Sequence, residues 1–200
     1  MIFVIFLMIS YFVGSIPFCF ILGKARGVDI TKTGSGNSGA TNLTRSLGPV
    51  FGAIGYILDA LKGVLVVAIF WQMPGAQVGE AVAVGFMAVL GHIFPIYTRK
   101  GGKGVATGGG VFAVFSLWGF VIALIVWLLI VARTHYVSLG SIVAAGVLPV
   151  YQLASDAPFS GDRVYVTGLS ILLFLIIIIT HRDNIKRLLR GQERKLSLKN

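Results

Sequence analysis

No residue from Met1 to Gly23 carries a charge, and five further apolar stretches follow at Pro49–Trp71, Ala81–Tyr97, Val105–Ala132, Tyr136–Ala154 and Val164–Thr180. An apolar run of about 20 residues spans the hydrocarbon core of a bilayer. Inside lipid every backbone N–H and C=O must be satisfied within the protein, and runs this long do so as helices. Composition agrees: 56% of the 200 residues are hydrophobic and 12% are charged, against about 25% charged in a soluble domain. Met1–Gly23 resembles a secretory signal, but it has no basic n-region and is too long for an h-region. It is read as a retained span.

Lys and Arg assign the sides of the membrane. Lys24, Arg26, Lys32 and Arg45 fill the first loop, Arg99, Lys100 and Lys103 follow the third stretch, Arg133 follows the fourth, and seven basic residues follow Thr180. The loop Met73–Gly79 has no Lys or Arg, and Ser155–Arg163 holds Asp156, Asp162 and only Arg163. The N-terminus is therefore expected outside and the C-terminus in the cytoplasm. Yet the basic loops at Lys100 and Arg133 belong on one side and are joined by a single apolar stretch. At 1.5 Å per residue, Val105–Ala132 would reach about 42 Å as one helix, too long for one crossing of about 30 Å and too short for two full ones. It is expected to break near Ser116–Gly119 into two short, tilted helices. The expectation is an all-α integral membrane protein, a seven-helix transmembrane bundle forming one domain over residues 1–200. Pairs such as Gly48/Gly52 and Ala81/Gly85 suit close helix packing. The lone cysteine, Cys19, excludes an intrachain disulfide.

The net charge of +10 favours anionic partners. Membrane class argues against nucleic acid, and much of the excess is the positive-inside signal. Three polar segments beside spans carry candidate chemistry. In the first, Gly34-Ser-Gly-Asn-Ser-Gly-Ala-Thr-Asn-Leu-Thr-Arg45, the glycines Gly34, Gly36 and Gly39 match a dinucleotide fingerprint by spacing. No strand precedes and no βαβ unit follows, so the match fails in context. A mechanism survives it: glycines let backbone N–H groups converge on an anion beside a helix start. Ser35, Asn37 and Arg45 add side-chain donors, and a plain polar loop is the alternative. The second segment carries Lys100-Gly101-Gly102-Lys103-Gly104, which lacks the Walker A spacing but places glycines around a lysine at a helix start, as suits a phosphate. A basic stop-transfer flank is the alternative.

The third segment is His181-Arg-Asp-Asn184 at the mouth of the last span, leading into a basic amphipathic tail suited to anionic lipid. His181 and Asn184 stand one helical turn apart, and a histidine there serves either as a general base or structurally. Asp59 and Lys62, three residues apart inside the second span, form either a functional pair or a self-compensating structural one.

Together these segments resemble the bacterial membrane glycerol-3-phosphate acyltransferases that use acyl phosphate as donor. The resemblance covers nearly the whole chain: Gly14-Ser-Ile-Pro17, Gly34 to Asn42, Gly91-His-Ile-Phe-Pro95 with Lys100 to Gly104, Tyr136-Val-Ser138, and His181 to Asn184. It implies transfer of a fatty acyl group from acyl phosphate to the 1-hydroxyl of glycerol 3-phosphate, giving lysophosphatidate and inorganic phosphate in phospholipid synthesis. It implies the bacterial inner membrane, with the site on the cytoplasmic face. By motif, Ser35 and Arg45 match essential positions, Lys103 and its glycines the phosphate loop, Ser138 a site serine, His181 and Asn184 the third-motif pair, and Glu193 a position tied to structural integrity. Catalytic roles are thus expected for His181, Asn184, Ser35 and Arg45. Substrate binding is expected at Gly34, Gly36, Asn37, Gly39, Arg45, Lys100, Gly101, Gly102, Lys103, Gly104 and Ser138.

An acyl phosphate is already activated, so no cofactor and no metal is expected, and no carboxylate cluster has metal-binding spacing. The His-x-x-x-x-Asp pattern of thioester-using acyltransferases is missing: five places after His92, His135 and His181 stand Tyr97, Gly140 and Lys186. The rival class is an organic-anion transporter, which would show paired repeats and midplane interruptions. Here the candidate residues gather at one membrane face.

Overall fold

The computed structural model describes residues 1–98, 100–154 and 161–196. Arg99 and loop residues 155–160, which entered the assignment of sides, lie outside them. Every regular element among the described residues is a helix. Five segments are long and apolar enough to cross a membrane: Ile2–Ala25, Pro49–Trp71, Leu117–Thr134, Val137–Ala154 and Asp162–Thr180. Val78–Ile93 and Val105–Phe115 are shorter apolar helices.

Proline and glycine set most of the boundaries. The first apolar stretch, expected as one span, is two helices, α1 (Ile2–Ser15) and α2 (Phe18–Ala25). Ile16 is extended, with ψ 115°, as a residue before proline prefers, and Pro17 has no N–H with which to continue the helix. Helix α3 (Ala40–Leu47) ends at Gly48, and Pro49 opens α4 (Pro49–Trp71), where its missing N–H costs nothing. Helix α5 (Val78–Ile93) stops ahead of Pro95. It therefore ends short of the expected Tyr97, and Phe94, Ile96 and Tyr97 are exposed beyond it. The fourth stretch breaks at Ser116 into α6 (Val105–Phe115) and α7 (Leu117–Thr134), as its length requires. Helices α8 (Val137–Ala154), α9 (Asp162–Thr180) and α10 (Arg182–Leu189) complete the chain.

The chain divides into two compact units, Met1–Val111 and a second beginning at Phe112. In the first, α1 lies directly on α5. A Cβ at Gly14 would strike the backbone of Ala88, and one at Gly91 would strike the carbonyl of Tyr11. Ser10 Oγ donates to Val84 O at 2.6 Å, and Tyr11 Oη donates to Phe94 O at 2.6 Å. Lipid tails are as apolar as leucine, so helices in a bilayer associate through such close backbone approach and interhelical hydrogen bonds. Gly52 is pressed against Thr44 and Gly85 against Val111 and Val67, so both act as contact glycines. Gly48, by contrast, serves the turn before Pro49 with φ +88°. Beneath the first polar loop Cys19, Ile30 and Leu43 form a core flanked by Phe20, Leu22, Val28, Leu47 and Phe51. In the second unit Gly140 of α8 meets Trp127 and Val131 of α7.

Candidate active site

In the first unit the two glycine-rich segments are joined to each other. Asn37 Nδ2 donates to Gly101 O at 3.0 Å, and a Cβ at Gly36 would lie 3.5 Å from Lys100 Nζ. The first loop is built around Asn42, which is buried in the first turn of α3. Its Nδ2 reaches the carbonyls of Ile30 at 2.6 Å, Asn37 at 2.9 Å and Thr33 at 3.1 Å, while its Oδ1 accepts from Ser35 N–H at 2.9 Å. Gly34 and Gly36 have φ of +57° and +68°, conformations that strain any residue with a side chain. Asn42 Oδ1 also fills the space a Cβ on Gly34 would need.

These contacts alter one expectation. Rather than lining up consecutive N–H groups for an anion, the loop satisfies several of them internally. Ser35 N–H goes to Asn42, Gly36 N–H to Thr33 O at 2.9 Å, and Gly39 N–H to Asn37 Oδ1 at 2.9 Å. Asn37, expected among the substrate donors, uses its amide to tie Gly39 and Gly101. The side chains of Ser35 and Lys100 are exposed, and those of Arg45 and Lys103 half-buried.

The second loop folds back onto the end of α5. Gly102 N–H donates to His92 O at 3.0 Å. A Cβ at Gly101 would meet the carbonyls of His92 and Ile93, and one at Gly102 would meet the His92 ring. These glycines are thus required by packing as well as by any ligand. Below them lies a buried polar cluster. Lys62 Nζ stands 2.8 Å from Asp59 Oδ1 and 3.0 Å from His92 Nδ1, and donates to Ile16 O at 2.9 Å. Cys19 Sγ donates to Asp59 Oδ2 at 3.1 Å, and Thr107 Oγ1 to Asp59 O at 2.8 Å. The Asp59–Lys62 pair therefore ties α2, α4, α5 and α6 together. His92 and Asn42 stand within the motifs quoted from the sequence, but neither is given a role there. The available signal was Lys62 itself, since an ammonium has three donors and Asp59 alone cannot satisfy them.

In the second unit His181 lies between α9 and α10, buried, with its ring Nδ1 2.9 Å from Ile177 O. A carbonyl only accepts, so Nδ1 carries the proton and Nε2 is the basic nitrogen of the neutral ring. Glu193 gathers the rest. Its Oε1 accepts from Ser138 Oγ at 3.0 Å and Asn184 Nδ2 at 2.7 Å, and its Oε2 from Arg187 Nε at 2.7 Å. Burial pushes the Glu193 carboxyl up, but these three donors outweigh it and hold it below the ordinary glutamate value. Leu196 N–H reaches His135 O at 2.8 Å, pinning the tail beside the start of α8. On the loop after α2, hydrogen bonds from Thr31 and the Lys24 ammonium lower the Asp29 carboxyl to about 2.

The family model for glycerol-3-phosphate acyltransferase matches residues 4–191. The chain belongs to this family. It is 43% identical over 188 residues to the glycerol-3-phosphate acyltransferase of Geobacter sulfurreducens, covering 94% of each chain. The Thermosipho melanesiensis protein of the same name is 41% identical, over 94% of this chain and 89% of that one. The structure resembles the crystal structure of PlsY, an integral membrane glycerol 3-phosphate acyltransferase, in its glycerol 3-phosphate form. The TM-score is 0.90 at 36% identity, covering 98% of this chain and 96% of that one. The lysophosphatidic acid form of PlsY matches with a TM-score of 0.88 at 36% identity, over 99% and 97%. Family, apolar helices and structural likeness agree on a multi-pass membrane protein.

Proposed function

We propose that this protein transfers a fatty acyl group from acyl phosphate to the 1-hydroxyl of glycerol 3-phosphate, forming lysophosphatidate and inorganic phosphate at the first acylation of phospholipid synthesis. The observation that carries this is the likeness, over 98% of the chain, to an acyltransferase structure in its glycerol 3-phosphate form. The hydroxyl oxygen bonds to the acyl carbon, the acyl–phosphate C–O bond breaks, and phosphate leaves with the electron pair. Arg45, Lys100 and Lys103 supply cations for the phosphates of both substrates, with Ser35, Gly34, Gly36, Gly39 and Gly101–Gly104 shaping the loops around them. His181 takes the hydroxyl proton through Nε2, with Asn184 and Ser138 as polar partners on the substrate. Much of the acceleration comes from holding both substrates in attacking geometry and from cations facing the developing charge.

The same reading takes residues 1–200 as one acyltransferase domain with seven crossings in the bacterial inner membrane. The five long and two shorter apolar helices support that count. The distribution of Lys and Arg supports an outside N-terminus, a cytoplasmic C-terminus and a site facing the cytoplasm. Purified protein in detergent is expected to release phosphate from acyl phosphate only when glycerol 3-phosphate is present, and to form lysophosphatidate in equal amount. Acyl-CoA and acyl-carrier protein are expected to give no turnover. Comparable rates with a thioester donor would overturn the donor assignment, and phosphate release independent of glycerol 3-phosphate would overturn the reaction.

A further inference from the structure

We infer that His92, locked in place by Lys62, is a positioning residue for the loop that binds substrate phosphate. The inference rests on the assignment of Lys100–Gly104 as an anion-binding loop. His92 does so through two contacts with one residue, Gly102. Its carbonyl holds the Gly102 N–H at 3.0 Å, and its ring occupies the space where a side chain at 102 would stand.

The ring has little freedom to move. Lys62 Nζ donates to Ile16 O at 2.9 Å, bonds His92 Nδ1 at 3.0 Å and forms an ion pair 2.8 Å from Asp59 Oδ1. An ammonium has donors only, so Nδ1 is the acceptor. The ring proton lies on Nε2, the atom turned towards Gly102. Lys62, Asp59 and His92 are at most 7% exposed, and buried charges are retained only where neighbours satisfy them. Asp59 is in turn held by Cys19 Sγ and, through its backbone, by Thr107 Oγ1 in the first turn of α6. The loop is therefore gripped at both ends: at Gly102 by His92, and just past Lys103 by α6 on Asp59. A buried ammonium calls for acceptors beyond Asp59, but an ion pair requires neither that one of them be a histidine nor that a glycine lie under its ring. Both become intelligible if the pair sets where Gly101–Lys103 lies, and so where the Lys103 ammonium is presented.

The test is a double-mutant cycle on the full-length protein in detergent, reading KM for glycerol 3-phosphate and for acyl phosphate, kcat and thermal stability. Gly102→Ala alone forces its Cβ against the ring and is expected to raise KM for at least one substrate by about tenfold, with a smaller change in kcat. His92→Ala removes the obstacle, so adding Gly102→Ala in that background should raise KM at least about fivefold less than it does in the wild type. His92→Asn guards against a variant that fails to fold: its amide oxygen retains an acceptor for Lys62 while the ring edge over Gly102 is lost, so it should fold yet still raise KM. Strictly additive effects on KM, or variants that lose stability and active fraction with KM unchanged, would overturn the positioning role. Lys103→Ala separates this from the reading on which it rests. If that change leaves both KM values at wild type, the loop is no anion site, and both proposals fall together.

Discussion

His181 donates from Nδ1 to Ile177 O at 2.9 Å, which leaves the basic lone pair on Nε2. That bond fixes the tautomer whether the role is structural or catalytic, and a general base requires such a defined nitrogen facing its substrate. The substitution His181→Asn keeps a donor near the Nδ1 position and removes the basic nitrogen. It is expected to lower kcat by about 10²-fold or more, with calorimetric affinity for glycerol 3-phosphate within about threefold of wild type. Lost affinity with kcat little changed would instead make His181 a phosphate ligand, with a substrate phosphate accepting the proton. The residue types and spacing of His181 and Asn184 were readable along the chain. The Glu193 carboxylate that binds Asn184 lies nine positions on and acts through space, so no periodicity announces it.

Among the elements, the tail after α10 is held by a titrating group outside the spans, Glu193. Glu193 receives bonds from α8 through Ser138 and from α10 through Asn184 and Arg187, contacts that give the structural role expected of this position a physical basis. Its carboxyl is held below the ordinary value of 4.5 in the folded protein. A depressed folded value contributes stability above the unfolded pKa, and that contribution is lost as pH falls through the folded value. Wild type is therefore expected to melt at higher temperature than Glu193→Gln near neutral pH. The two melting curves should converge as the pH is taken below 4.5. A gap that persisted unchanged into acid would show that charge at Glu193 is not what holds the tail. The start of α4 at Pro49 was legible in the sequence, but hydropathy carried the expected stretches through Pro17 and Pro95, where proline, acting on its own backbone and its neighbour's, breaks the helices. Phe94–Tyr97 is apolar enough to extend a span yet lies beyond the end of α5.

At the scale of the whole molecule, topology is the remaining test. With Cys19→Ser retaining a donor towards Asp59, a cysteine placed at Gln77 is expected to react with an impermeant thiol reagent in intact cells. One placed at Lys186 should react only after permeabilisation. Equal labelling of both would overturn the assignment of sides and with it the seven crossings. Both positions are exposed in the structure, so a difference reports the membrane and not burial.

Membrane class, the apolar stretches and the break near Ser116 followed from sequence alone, because hydropathy and charge act locally or through simple sums. What the loops do with their polar groups did not follow. Sequence suggested N–H groups of the first loop turned to an anion, and the fold spends those of Ser35, Gly36 and Gly39 internally. It suggested that Gly101 and Gly102 serve a phosphate, and the fold shows them also yielding to the end of α5. It left Asp59–Lys62 open between roles, and only the fold supplied His92 at 3.0 Å. The Lys62–His92 contact joins residues 30 positions apart and is decided by how helices pack, which no local pattern encodes. The bonds within the first loop are short-range and follow from the turns at Gly34 and Gly36 around the buried Asn42, a geometry that residue types alone do not specify.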